Sequence, residues 1–308
     1  MKRLIIIALA VSIAAMCLCG CSVGFIGSSA TRYDNADKYT AGDREITDKI
    51  DRLDIDWPSG YVKLTAGGST VKVTETTKGS LSDKERVHTW VDGSTLRVRF
   101  CKSGERYSGE TKTVEITVPE DIVFENIGID VSSADVSCQG VSSKKTSVDA
   151  SSGDLTYFGN AESFTADSSS GNISFTGSSQ SIHAEASSGE ITLKQTGEAE
   201  SISAEASSGR VNITAEKTRS LFVDTSSGDI VIALDTQPGD AHIEASSGDV
   251  TLSLPEEPGF TAEISTSSGD VKYELAMTKT GDETYTCGDG SGKVNIETSS
   301  GDVTLMKR

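Results

Sequence analysis

Basic side chains are scarce. The 308 residues carry 28 Lys and Arg against 46 Asp and Glu, a net charge of −18. Nucleic-acid binding needs clustered Lys and Arg to neutralise phosphates, so that class is excluded. Aromatics make up only 6% of the chain, whereas Gly, Ser, Thr and Asp abound. Such a composition fits disorder, but regular apolar alternation from Ile46 onward argues for strands instead. Cysteine is limited to six. Three fall in the first 21 residues. The others, Cys101, Cys138 and Cys287, are odd in number and widely spaced, which excludes a zinc or disulfide framework. They are expected as small buried hydrophobes, with a single disulfide as the alternative. No phosphate loop, no His-Glu-x-x-His and no Ser-His-Asp spacing occurs, and each of those chemistries needs its motif.

The N-terminus has a charged pair, Lys2-Arg3, then an apolar run from Leu4 to Met16, then Leu18-Cys19-Gly20-Cys21. This pattern is a secretory signal. Its ending resembles a bacterial lipobox, which implies cleavage before Cys21 and a lipid on that cysteine. The apolar run is short for a membrane span. Residues 22–45 lack periodicity and are rich in Gly, Ser, Asp and Asn, as expected of a flexible tether.

A tetrapeptide, Ser-Ser-Gly-Asp or a close relative, dominates the rest. Its glycines are Gly153, Gly171, Gly189, Gly209, Gly228, Gly248, Gly269 and Gly301. From Gly153 to Gly269 they step by 18, 18, 20, 19, 20 and 21 residues. A step near twenty is the signature of a solenoid. Three alternating apolar positions precede each corner and two or three follow it, as in Ile182, Ala184 and Ala186, then Ile191 and Leu193. Ala186 and Ile191 are five apart, so an unbroken strand would send them to opposite faces. The Ser-Ser-Gly must bend the chain and reset the phase. Glycine suits the bend by tolerating φ > 0 and by leaving room for the next rung.

The expected fold is all-β: a β-solenoid (β-helix) of 18–21-residue rungs with a less regular N-terminal β cap. The segments are a signal peptide over 1–20, a lipidated Cys21 with its tether over 21–45, the cap over 46–125 and the solenoid over 126–308. At the C-terminus Gly292 and Gly301 are nine apart. This short piece is expected to turn both corners, and the last strand to remain an edge open to pairing.

Three constellations could carry chemistry. The residues after the corner form a stack: Asp135, Asp154, Asn172, Glu190, Arg210, Asp229, Asp249, Asp270 and Asp302. Stacked carboxylates bind Ca²⁺ in some repeat proteins, but Arg210 interrupts this one and is expected to pair with Glu190 or Asp229. His183 and His242 both point outward three rungs apart, about 14 Å by the rung spacing, too far to share a metal. The corner serines have no nearby base. No catalytic residue, metal site or cofactor is therefore expected.

The lipobox, the stretch Tyr33-Asp34-Asn35-Ala36-Asp37-Lys38-Tyr39-Thr40-Ala41-Gly42, the alternation Leu53-Asp54-Ile55-Asp56-Trp57, Val118-Pro119 and the Ser-Ser-Gly-Asp-Val array together resemble a bacterial family of putative adhesins of unknown function, related to the GIN head domain. The resemblance covers residue 33 to the end. It implies a surface-exposed β-solenoid without enzymatic activity. The expectation is an extracytoplasmic, membrane-anchored lipoprotein that binds a surface glycan or protein ligand. The alternatives are an accessory or sensor partner in envelope stress and a glycan-active β-helix enzyme.

Overall fold

A computed structural model describes residues 31–107 and 111–308. The signal segment and Cys21 lie outside the described residues. Within them the chain is all-β: twenty-five strands, one short 3-10 turn at Ala36–Lys38 and no α-helix. None of the described helices is long and apolar enough to cross a membrane.

The core is a stack of eleven rungs, each made of one strand before a corner and one after it. In space the pre-corner strands follow the order Thr95–Arg99, Arg52–Asp56, Asn126–Val131, then the successive rungs to Asp240–Ala245, Gly292–Thr298 and Phe260–Thr266, every neighbour parallel and in register. Alternation fixes which residues face inward. Ile182, Ala184, Ile191 and Leu193 are all buried in one rung, and Ile202, Ala204, Val211 and Ile213 in the next. Tyr157, Phe164 and Phe175 fill one wide section, with ring centroids 4.7–5.7 Å apart. Cys101, Cys138 and Cys287 are buried and free, and burial alone pushes the Cys138 thiol up to about 12.

Rung order departs from chain order at both ends. The Arg52–Asp56 strand lies between Asn126–Val131 and Thr95–Arg99. Its post-corner partner Ser59–Gly68 lies between Ser133–Ala150 and Thr113–Pro119. The region 46–125 thus supplies two full rungs. Antiparallel strands His88–Asp92 and Val71–Thr76 then cover the outer rung.

The C-terminus mirrors this. Gly292–Thr298 pairs with Asp240–Ala245 on one side and Phe260–Thr266 on the other. Val303–Lys307 is likewise held between Val250–Leu254 and Val271–Tyr273. This corrects the expectation of an open last strand. It also corrects the expectation of two corners, since Gly292 begins a strand and only the Gly301 corner is turned. The end rung is the earlier segment Phe260–Tyr273, flanked by the antiparallel strand Thr284–Cys287.

The tether also needs correction. Tyr33 Oη donates to the Cys101 carbonyl at 2.8 Å, and its ring lies 4.6 Å from Tyr39. Thr40–Ala41 and Arg44–Ile46 pair with cap strands. Residues 33–45 are therefore part of the folded cap.

Candidate binding face along the stacked rungs

The corner comes first because it sets every outward column. The corner glycines Gly153, Gly171, Gly189, Gly209, Gly228, Gly248, Gly269 and Gly301 all lie in one stack and none has positive φ. Close approach, not left-handed backbone, requires glycine there. A Cβ on Gly171 would sit 1.9 Å from the Gly153 carbonyl oxygen, and one on Gly248 would sit 1.8 Å from that of Gly228. Ala134 occupies the same column beneath Gly153. Where the residue three before the glycine carries a hydroxyl, it binds the corner: Ser168 Oγ and Thr225 Oγ1 accept from the Gly171 and Gly228 amides at 2.8 and 3.1 Å.

The residues after the corner act as a second ladder. The Asp154 side chain accepts from the Asn172 amide at 2.9 Å, Asn172 from the Glu190 amide at 2.9 Å, and Asp249 from the Asp302 amide at 2.9 Å. Asp302 in turn accepts from Asp270 at 2.9 Å, which holds its carboxyl below the ordinary range, with Lys272 adding to the effect. A short side chain with an acceptor oxygen is what this contact needs, so Asp and Asn recur for a structural reason. Arg210 pairs with Asp229 at 2.9 Å.

Four residues before each corner lies a column that motif reading passed over. In register these are Asp56, Asp130, Asp149, Asp167, Glu185, Glu205, Asp224, Glu244 and Glu297. Nine successive rungs each present a carboxylate to the same line of the outer face. Arg99 ends the line beside Asp56 and binds Asp54 at 2.9 Å. Like charges directly opposite in a sheet repel. Burial holds the carboxyls of Asp56, Asp130, Asp149 and Asp167 above the ordinary range; neighbouring carboxylates add to this at Asp56, Asp130 and Asp167, while Arg99 opposes it at Asp56 and Asp130. Asp130, Asp149, Asp167 and Glu185 line a groove of about 310 Å³ with Ser151 and Ser169. The signal was present in the sequence as a fixed offset from the corner glycine.

The histidines flank this column, and the structure gives each carboxylate neighbours. His242 Nε2 contacts Glu244 at 2.8 Å, its Nδ1 lies 3.1 Å from the Asn295 amide nitrogen, and its ring stacks on Phe222. His183 lies with Asp167 and Glu185, their ligand atoms all within 4.8 Å of one another.

One further site was illegible in the sequence. Lys112 stands at the outer end of the corner column and is fully buried. Its Nζ lies 2.6 Å from Glu75, donates to the Phe100 and Glu85 carbonyls at 2.5 and 2.6 Å, and sits 4.1–5.1 Å from the rings of Phe100, Tyr107 and Trp57. Burial lowers its pKa, against the pull of Glu75. The ammonium plugs the end of the apolar core.

The Toastrack DUF4097 family model matches residues 50–226 and 217–306. The chain belongs to that family, whose matched region is the rung array itself. No curated protein matches it. Similar solved structures include a putative cell adhesion protein from Clostridium sporogenes (14% identity, 88% of this chain and 100% of that one, TM-score 0.21). A putative adhesin from Bacteroides fragilis shares 18% identity over 62% of this chain and 95% of its own, with a TM-score of 0.40. A putative lipid binding protein from Parabacteroides distasonis shares 17% identity over 87% and 97%, with a TM-score of 0.38.

Proposed function

We propose that the protein is a lipid-anchored, extracytoplasmic binding protein without catalytic activity, held to the membrane through Cys21 and presenting its long pre-corner face to a ligand on a protein or glycan surface. The observation that carries this reading is the nine-rung acidic column. Register-locked carboxylates repeat at about the 4.8 Å rung spacing, which matches an extended partner better than a compact small molecule. Charge complementarity favours a basic protein segment among such ligands. The secretory pattern and Cys21 support display outside the cytoplasm.

The test is capture from intact cells by the purified protein, compared with a variant carrying Asp130→Asn, Asp149→Asn and Glu205→Gln. A partner retained by the native protein, released by salt and lost by the variant supports the reading. Equal capture by both would remove the acidic face from the function. Separately, Cys21→Ala is expected to abolish lipid labelling and membrane retention; an unchanged membrane fraction would refute the anchor.

A further inference from the structure

Two histidines sit at matching positions, but their register neighbours differ: Phe222 and Asn295 beside His242, Thr165 and Ser203 beside His183. Each lies two residues before a carboxylate on its own strand, and that carboxylate is in register with an aspartate on the adjacent rung. The first set is His183, Glu185 and Asp167. The second is His242, Glu244 and Asp224. In the second set the imidazole is consumed: one nitrogen contacts Glu244 and the other faces Asn295. In the first set Ser203, not an amide, occupies the register position next to His183. Among the described residues neither ring nitrogen of His183 makes a hydrogen bond, nor do the carboxylates of Asp167 and Glu185. Three ligand atoms within 4.8 Å of one another thus make no hydrogen bond, and Asp167 interacts only electrostatically, with Asp149, His183 and Glu185.

From this contrast we propose that Asp167, His183 and Glu185 form a binding site for a divalent transition metal, with Zn²⁺ as the best-suited ion. One imidazole and two carboxylates suit zinc, whereas Ca²⁺ and Mg²⁺ favour all-oxygen sets. Ligands on a tetrahedral zinc are about 3.3 Å apart, given bonds near 2.0–2.1 Å. Closing the remaining gap requires a rotamer change, for which exposed Glu185 has room. Asp167 and Glu185 also line the groove beside Asp149 and Ser169. That leaves room for water or an incoming donor in the fourth position. The site goes beyond the proposed binding face, because it needs the imidazole and not merely the acidic column.

Zinc titration of the full chain in excess Mg²⁺, followed by calorimetry, tests this. The Mg²⁺ occupies general carboxylate sites, and the variants H183Q and H242Q separate the two histidines. The expected result is one Zn²⁺ bound by the native chain, loss of that binding in H183Q, which removes one of three ligands, and unchanged binding in H242Q. D167N is expected to weaken binding as well. Zinc binding unaffected by H183Q, including binding held by the N-terminal cysteines, overturns the proposal. So does its absence from the native chain, or its equal loss in H242Q. Circular dichroism of each variant establishes that the fold is retained. If H183Q alone were misfolded, D167N gives the same decision.

Discussion

A Cβ placed on Gly209 would lie 1.8 Å from the carbonyl oxygen of Gly189, the corner glycine one rung below. No rotamer relieves that contact, because the backbone fixes where the Cβ sits and the oxygen is itself part of the backbone ladder. Gly209→Ala is therefore expected to cost about 3 kcal/mol or more by forcing two rungs apart. Gly79, where a Cβ meets nothing within 4 Å, serves as the control, and its alanine variant is expected to stay within about 0.5 kcal/mol of native. Denaturant unfolding measures both.

Thr225 makes two corner contacts: its hydroxyl accepts from the Gly228 amide at 3.1 Å and donates to the Gly209 carbonyl at 3.4 Å. Thr225→Val keeps the shape and removes both. A loss of about 1–2 kcal/mol is expected from the buried groups left behind. Urea midpoints read it directly, and an unchanged midpoint would show that the hydroxyl contributes nothing to the corner.

Lys112 and Glu75 are both buried, at 0% and 2% side-chain exposure. Lys112→Met strands the Glu75 carboxylate and is expected to cost about 3–5 kcal/mol. Adding Glu75→Gln should restore much of that, because the orphaned charge is then gone. The double-mutant cycle checks the coupling; simple additivity would contradict it.

The raised carboxyls of the acidic column set a pH dependence. Asp56, Asp130, Asp149 and Asp167 all titrate above their unfolded values. Between the unfolded and folded values the native state binds more protons, so their contribution is fully present below the ordinary carboxylate range and is lost as pH rises through the raised values. The melting temperature is expected to rise as pH falls through the raised values toward the ordinary carboxylate range. At lower pH, protonation of Asp302 and Asp289, both held below the ordinary range, acts in the opposite direction. Asp130→Asn with Asp149→Asn should raise the melting temperature at neutral pH and flatten its slope; an unchanged slope would place the pH dependence elsewhere.

The sequence revealed much of the fold because one rung is a local pattern. Ile182, Ala184 and Ala186 before the corner and Ile191 and Leu193 after it declare a phase reset within a dozen residues. The partner of Arg210 was narrowed to two because both candidates occupy its own column, and Asp229 is the one it binds. The acidic column was equally periodic, but its residues are ordinary surface Asp and Glu when read one rung at a time. Only superposition of the rungs turns them into a line. Lys112 was beyond reach for another reason. Its partners Trp57 and Phe100 meet it because the strand Thr95–Arg99 stacks outside Arg52–Asp56, and Glu75 because Val71–Thr76 pairs antiparallel with Thr113–Pro119, an order that no local pattern encodes.

That inversion of order at both ends has a mechanical consequence. A chain tethered at its N-terminus and loaded at its C-terminus does not peel from an outermost rung. Beyond the edge strands at residues 40–46, tension reaches Arg52–Asp56 and Ser59–Gly68, which are hydrogen-bonded on both sides. At the other end it reaches Val303–Lys307 and Gly292–Thr298, held in the same way. Extraction must break two ladders at once, so the rod resists stretching where an ordinary solenoid would unzip.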